Sequence, residues 1–405
     1  MEGNLMLLYR SLVTLFALKV VAGLVLRGDR NALRQRLALE APAEGRHLWL
    51  HAASNGELSS ARPVIEALAA RGVPLLVTCN SPTGVALAQS WGLVARLAPL
   101  DLARVTRRMI RHWNIVAQVT MESELWPNRM LLCPGPVLIL GGRLSPGTAR
   151  GWRHFGGLLG RMLARVAFLS AQDDGSLARF RAAGLPPEAE GPVIDLKAFY
   201  APPRLADPSL SALRRDGTWL AASTHEGEEE IVLAAHALAR RRDPGLTLIL
   251  APRHPRRADA VERLVRAAGL SVARRTRGDP PQGADVYLAD TLGEMALFYP
   301  LAGRVFIGGT LGDRGGHTPH EPAAFGAALI HGPDVANFRP AFARLAEQQA
   351  AIGIEDAATL AAALEALADP EAQRRLGARA RDALAPATDA GTLAGMLMQH
   401  LDGII

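Results

Sequence analysis

From His47 onward, short apolar runs alternate with stretches whose apolar residues recur at helical spacing. The runs 47-HLWLHAA-53, 74-PLLVTCN-80, 115-IVAQVT-120, 136-PVLILGG-142 and 167-AFLSAQ-172 predict strands, with helices between them near 58–71, 101–112, 146–165 and 173–183. Around 201-APPRLADPSL-210 prolines and polar residues interrupt the pattern and predict a linker. Alternation then resumes with strands at 218-TWLAAS-223, 246-LTLILA-251, 286-VYLAD-290, 304-RVFIGG-309 and 328-ALIHG-332. Helices are predicted at 226–242 and 256–269, and 356–368, 370–385 and 389–401 finish the chain. Repeated βαβ units predict an α/β protein of two doubly wound, Rossmann-like domains, each on a mostly parallel sheet. The expected boundaries are 37–205 and 206–385, with 386–405 as a C-terminal helix. Such sheets bind ligands beyond the carboxyl ends of their strands, so an interdomain cleft is the expected site.

Ahead of this pattern, residues 5-LMLLYRSLVTLFALKVVAGLVL-26 are long enough to cross a bilayer core. Arg10 and Lys19 interrupt the run on roughly opposite sides of a helix. Arg27, Arg30, Arg34 and Arg36 follow, opposed only by Asp29, a cluster that suits an anionic cytoplasmic leaflet. The segment 1–36 therefore reads as a membrane anchor or interfacial helix with a basic flank. A buried domain helix and a cleaved signal peptide stay open beside it.

A length of 405 residues fits two domains, and an apolar content near half argues against disorder. Cys79 and Cys133 supply no disulfide framework, as in a reducing compartment. The net charge of +6 is carried almost wholly by arginine, with Lys19 and Lys197 the only lysines. Anionic lipid or phosphorylated substrates are the expected partners. Nucleic acid is not, because the basic residues form no aromatic-interleaved patch and no zinc-finger spacing.

Polar residues concentrate at the predicted strand ends. After the first strand, 54-SNGE-57 reads as a helix start in which Ser54 or Asn55 caps and Glu57 favours the dipole. It reads equally as a carboxylate at a cleft-facing turn, able to accept a proton. In 121-MESELWPNRM-130, Glu122 and Glu124 are predicted to leave an extended segment on one side, and Pro127 to sit in the first turn of a helix. In 141-GGRLSPGTARGWRHF-155, Arg143, Arg150 and Arg153 are placed either to receive phosphate or carboxylate groups or to form an ordinary basic helix face. The second half opens with 223-STHEGEEEIVL-233, where Ser223 and Thr224 are N-cap types and the acids suit a first turn. The amides there, with His225, are candidates for an anion. Arg253 and His254 of 252-PRHPRR-257 end an apolar strand, where a phosphate or nucleotide would bind. Finally, 308-GGTLGDRGGHTPHEP-322 has two glycine-rich turns and a helix-opening Glu321, whose carboxylate suits a ribose diol.

Together these residues resemble the 3-deoxy-D-manno-octulosonic acid (Kdo) transferase family. The motifs H-x-x-S-x-G-E, P-T-G at 82–84, M-E-x-E-L-W-P-N, R-L-S, S-T-H-E-G-E-E-E, P-R-H-P, G-E-M-x-L-F-Y and G-G-H-x-x-x-E-P-A-A run in family order across nearly the whole chain. The resemblance implies a GT-B fold, a CMP-Kdo donor and a lipid A precursor (lipid IVA) as acceptor. It places the protein at the cytoplasmic face of the inner membrane, in lipopolysaccharide synthesis. It implies inverting transfer with no metal and no cofactor.

By the same resemblance Glu57 is the general base, and Glu122, Glu124, Trp126 and Asn128 line the cleft with Arg143 and Lys197. Arg253 and Pro255 hold the nucleotide beside Thr224, His225 and His254; Gly315, Gly316 and His317 support its phosphate, and Glu321 takes the ribose. The chain departs from the family at Asn55, often Val, at 141-GGRLS-145, often Asn-Ala-Arg-Leu-Ser, and at 194-IDLK-197, usually Gly-Asn-Leu-Lys. Thr318 follows His317 where Asn is common, and Asp313-Arg314 replaces a more apolar pair. Another CMP- or UDP-sugar on the same fold, or a non-catalytic membrane scaffold, are the rival readings.

Overall fold

The computed structural model describes residues 2–40, 43–203 and 205–405. Met1 of the predicted anchor, Ala41 and Pro42 of the predicted first domain, and Arg204 of the predicted linker lie outside the described residues. The chain forms two compact units, Met1–Phe199 with Pro386–Ile405, and Tyr200–Ala385.

The first unit begins with helices α1 (Glu2–Leu26) and α2 (Arg30–Arg36). Strands β1 (His47–Ala52), β2 (Leu75–Cys79), β3 (Val94–Leu97), β4 (Ile115–Met121), β5 (Val137–Gly142) and β6 (Val166–Ala171) then alternate with helices. The helices are α3 (Asn55–Ala69), α4 (Pro82–Ser90), α5 (Ala103–His112), α6 (Pro127–Leu132), α7 (Pro146–Arg153), α8 (Leu158–Leu163) and α9 (Asp174–Ala182). The sheet order is β3-β2-β1-β4-β5-β6, every pair parallel. Both faces are covered. Leu48, Leu50 and Ala52 of β1 pack with α3, while Trp49 joins Val105 and Met109 of α5 on the other side. A strand buried on both faces reads as a continuous apolar run, which is why β1 was legible.

The second unit carries β7 (Thr218–Thr224), β8 (Thr247–Pro252), β9 (Val272–Arg274), β10 (Val286–Leu288), β11 (Arg304–Ile307), β12 (Ala328–His331) and β13 (Ala351–Gly353). Its helices are α10 (Glu228–Arg240), α11 (Ala258–Ala267), α12 (Met295–Phe298), α13 (His320–Ala324), α14 (Arg339–Glu347), α15 (Ala357–Ala366) and α16 (Pro370–Leu384). The sheet runs β13-β12-β11-β7-β8-β10-β9, again parallel throughout. Trp219 and Ala221 of β7 enter one core cluster and Leu220 and Ala222 the other. After this unit α17 (Ala390–Gln399) returns to the first, where Leu393 and Leu397 pack in the cluster of α3.

Several elements differ from expectation. The predicted helix over 146–165 is two helices, α7 and α8, separated around Gly156 at φ 56°. Strand β3 escapes the apolar pattern because it is an edge strand of four residues with Arg96 at its centre, and that guanidinium bonds Glu40. The preceding α4 is short and begins Pro-Thr-Gly, composition that reads as a loop. Strands β9 and β13 have three residues each, too few to show a period.

Helix α1 docks by one stripe. Val13, Ala17 and Leu24 are buried at helical spacing, while Leu12, Leu15, Phe16 and Leu18 are exposed. The 18 residues Tyr9–Leu26 are long and apolar enough to cross a membrane, and only 17% of them is buried, unlike a core helix.

If α17 is part of the first unit's core, Leu397→Ala should act there. Leu397 is fully buried, so the truncation should cost about 2–5 kcal/mol. Amide exchange should then accelerate in α3, and unchanged protection of α3 would show that α17 is dispensable to that unit.

Candidate active site

In the first sheet, the connections from β1 and β4 diverge toward opposite edges, and the crevice this opens lies beyond their carboxyl ends. The polar residues predicted at strand ends gather there. Ser54 caps α3, its Oγ accepting from the Glu57 amide at 3.2 Å. The Glu57 side chain turns back: Oε2 accepts from Ala53 N at 2.8 Å and Oε1 from the Ser54 hydroxyl at 3.2 Å. The expected helix cap is thus formed, and the Glu57 carboxylate closes back on it. Burial pushes the Glu57 carboxyl up to about 7, opposed by the Ala53 hydrogen bond and reinforced by the charges of Glu122 and Glu124.

Beside it, Glu124 Oε2 accepts from Trp126 Nε1 at 2.7 Å and lies 3.1 Å from His51 Nε2. Burial alone would raise Glu124, but the His51 bond and charge and the Trp126 indole carry it down to about 2. Burial depresses His51 to about 4, and the ring lies between acceptors, Nε2 3.1 Å from Glu124 and Nδ1 3.0 Å from both the carbonyl and the hydroxyl oxygen of Thr78. The two glutamates do not leave one side of an extended segment. Glu122 has φ 48°, which ends the pleat after Met121, while the charges of both glutamates still act on Glu57. Burial raises the Glu122 carboxyl, and the charges of Lys197 and Arg143 restrain it. Lys197 sits on a 3₁₀ turn, Leu196–Phe199. Arg150 and Arg153 are exposed on α7.

Asn128 is 1% exposed and donates from N and Nδ2 to Asp101, so its amide serves the start of α6 rather than an open surface. Three residues there escaped the sequence reading. Arg129, 2% exposed, stacks 5.0 Å from the Trp126 ring and 5.6 Å from Trp49. Asp101 accepts from the amides of Asn128 and Arg129 and from the Tyr9 hydroxyl. His51 looked like part of a strand, although as the first residue of the H-x-x-S-x-G-E motif it carried a signal.

The second unit repeats the device where β7 and β11 adjoin. The acids after β7 do more than favour a helix dipole. Glu228 accepts from the amides of His225, Gly309, Thr310 and Leu311 at 2.7–3.0 Å, tying the turn after β7 to the glycine-rich turn after β11. The His225 amide, expected for an anion, is thereby engaged. Buried Glu229 takes the Thr224 hydroxyl and both terminal nitrogens of Arg257. Arg253 and His254 are exposed after β8, and Pro255 opens the 3₁₀ turn Pro255–Arg257.

His225 and His317 bring their Nε2 atoms to 2.9 Å on parallel rings, so one donates a hydrogen to the other. Burial lowers both, His317 to about 4. Gly315 and Gly316 have φ near 76° and 75°, and a Cβ on Gly315 would meet Asn337 at 2.6 Å. Glu321 opens α13, its carboxyl raised by burial. Among the described residues no cluster of three His, Cys, Asp or Glu is placed to hold a metal ion.

Comparison with known proteins bears on this arrangement. The family model of 3-deoxy-D-manno-octulosonic-acid transferase (kdotransferase) matches residues 31–199. A 3-deoxy-D-manno-octulosonic acid transferase of Haemophilus influenzae is 33% identical over 352 residues, 83% of this chain and 82% of that protein. One of Bordetella pertussis is 33% identical over 385 residues, 88% of this chain and 86% of that protein. A Neisseria meningitidis UDP-GlcNAc 2-epimerase structure superposes with a TM-score of 0.60 at 11% identity, over 88% of this chain and 99% of that one. A Rickettsia africae glycosyltransferase does so with 0.59 at 12%, over 89% and 99%. At such identities the two structures establish the fold, GT-B, as expected from the motifs. A third of positions shared with two curated enzymes over more than four-fifths of their length establishes more: the chain belongs to the Kdo transferase family of glycosyltransferases.

Proposed function

We propose that the protein transfers Kdo from CMP-Kdo to a lipid A precursor, lipid IVA, by metal-independent inverting displacement. Glu57 is the general base. The observation that supports this best is the state of that carboxylate. It is anchored at both oxygens, lies beyond the carboxyl end of the first strand, and has its pKa held near 7 by burial and like charge. A base titrating near neutrality combines a populated deprotonated form with useful proton affinity.

In the reaction, a sugar hydroxyl of the acceptor bonds through oxygen to the anomeric carbon of Kdo. The bond from that carbon to the CMP phosphate oxygen breaks, the electron pair leaving on the phosphate and the hydroxyl proton passing to Glu57. One displacement inverts the anomeric centre. Glu122, Glu124, Trp126, Arg143 and Lys197 form the acceptor side, with buried Asn128 bracing the start of α6 behind them, and His51 and the Trp126 indole hold Glu124 as an anion. His225, Arg253, His254 and Pro255 hold the nucleotide, with buried Thr224 bracing their turn through Glu229; Gly315, Gly316 and His317 take the phosphate, and Glu321 the ribose diol. Fixed donors aimed at the departing phosphate lower the barrier as its charge grows, and for a nucleoside monophosphate guanidinium and imidazole groups suffice in place of Mg²⁺. The apolar face of α1 and the arginines that follow it bind the chain to the cytoplasmic face of the inner membrane, where the acceptor resides.

Three outcomes test the reading. Glu57→Gln keeps the shape of the side chain and should slow Kdo transfer to lipid IVA by about 100- to 10,000-fold while leaving CMP binding intact; equal rates in both proteins would remove the assignment. The turnover rate should fall by about tenfold per pH unit below about 7, because the protonated carboxyl cannot accept a proton, and level off above it. A profile flat from pH 5 to 8 would contradict the raised pKa. Finally, CMP at about one hundred times its Kd should stabilise the protein by about 2.7 kcal/mol in thermal unfolding. Protection by UDP or UDP-GlcNAc alone would favour the UDP-sugar reading.

A further inference from the structure

Helix α6 starts without a cap of its own. Its N-cap residue is Trp126, whose side chain has no oxygen, and Pro127 has no N–H, so the first amides are those of Asn128 and Arg129. Asp101, in the loop between β3 and α5, supplies the missing acceptor: Oδ2 takes Asn128 N and Oδ1 takes Arg129 N, each at 2.9 Å. The same Oδ2 accepts from the Tyr9 hydroxyl of α1 at 2.5 Å. One carboxylate, 2% exposed, thus joins α1 to the start of α6. Trp126 is fixed from there. Its backbone is the cap that Asp101 organises, and the Arg129 guanidinium stacks 5.0 Å from its ring while donating to Pro99 O at 2.6 Å. The indole in turn donates to Glu124 Oε2 at 2.7 Å, and the charge of Glu124 acts with that of Glu122 on Glu57.

Each of these links has a direction, unlike the apolar contacts of Val13, Ala17 and Leu24 that seat the rest of α1. A helix held by apolar contact alone can slide or turn on its seat without the site sensing it. The Tyr9 hydroxyl removes that freedom, because Asp101 accepts it on the oxygen that also holds Asn128. Burial raises the Asp101 carboxyl, opposed by the charge of Arg129, the Tyr9 hydroxyl and the two amides. Taking the hydroxyl away leaves a buried anion short of a donor, and the α6 amides that share it must adjust. The nearest side chain to that adjustment with a role at the crevice is Trp126.

We propose that Tyr9 and Asp101 are positioning residues, which transmit the seating of α1 on the first unit to the Trp126 indole and so set the place of Glu124. The kinetic consequence rests on the sugar transfer proposed above; the structural one does not. Tyr9→Phe removes the hydroxyl and Trp126→Phe the indole N–H, each leaving a ring in place. The full-length protein is compared in detergent with its indole nitrogens labelled with ¹⁵N. The Trp126 resonance is identified by its loss in Trp126→Phe, while Trp91, Trp113 and Trp219 report the fold. In Tyr9→Phe the Trp126 signal should move and those three should stay. Each single variant should lower kcat/KM for lipid IVA about tenfold, the value of one hydrogen bond to a charged group, with CMP affinity unchanged. The double variant should fall little further than the worse single one, because both cut the same path. An unmoved Trp126 signal in a folded Tyr9→Phe protein would overturn the proposal whatever becomes of the reaction. Losses that multiply in the double variant would overturn it as well. A wild type that transfers no Kdo would strike the proposed reaction, and the indole signal would still decide the positioning role.

Discussion

Parallel pairing constrains everything else in this protein. A strand that lies parallel to its neighbour must be re-entered from the same end, so each crossover helix leaves from the carboxyl edge of the sheet. All the loops after the strands therefore collect along one edge. With the order β3-β2-β1-β4-β5-β6, the connections from β1 and β4 part in opposite directions and leave their two loops facing each other. Glu57 and Glu124 are distant in the chain, yet for this reason the charge of Glu124 raises the Glu57 carboxyl. The second sheet repeats the geometry at β7 and β11, which brings His225 within 2.9 Å of His317.

Placing loops together does not fix their shape. Buried carboxylates do that, each by collecting donors that the loop backbone would otherwise leave unmet. Asp101 holds the start of α6, Glu228 binds four amides of two turns, and Glu229 joins Thr224 to Arg257. Each acts as a strut, although burial still leaves the Asp101 carboxyl raised. Glu57 differs in degree. It has one amide and one hydroxyl, and carboxylates for neighbours. Burial is only partly offset there, and an acid that is neither fully stabilised as an anion nor neutralised is what proton transfer requires.

The sequence showed the sheets because strands buried on both faces are written as uninterrupted apolar runs, and His47–Ala52 or Thr247–Pro252 admit no other reading. It did not show β3, β9 or β13, short strands at or near sheet edges that contact little core. At the site, the residues next to glycine and proline stood out because turn chemistry marks them. Arg129, Asp101 and Glu228 were hidden because their roles come from contacts far away in the chain. Arg129 meets Pro99 and Trp49, and Glu228 meets Gly309. The expectation that Glu122 and Glu124 lie on an extended segment failed at a single backbone angle, since a left-handed φ at a non-glycine residue is not written in side-chain alternation.

The departures from the family pattern are arranged in a way that bears on the chemistry. Asn55, where Val is frequent, has its Oδ1 within 3.4 Å of the Ser81 and 3.3 Å of the Thr83 hydroxyl, and so ties the Pro-Thr-Gly turn to the first residue of α3. Gly84 of that turn has no room for a side chain, since a Cβ would lie 2.9 Å from Cys79 Cβ and 3.1 Å from Asn55 Oδ1. Among the described residues Thr318 Oγ1 meets its neighbour His320, and the Arg314 side chain stands 62% exposed. Of these positions, Asn55 and Thr318 border the proposed base and the glycine-rich turn without supplying a titrating group, whereas the charge of Arg314 acts on His225. The carboxylates, the imidazole pair and Lys197 keep their motif positions. Variation of this kind alters how the loops are braced and adds charges around the motif residues, Asp195 beside Glu122 and Arg314 beside His225, while Glu57, Glu122, Glu124, the imidazole pair and Lys197 stay in place, which argues for the same reaction class in a protein whose loop supports have been rebuilt.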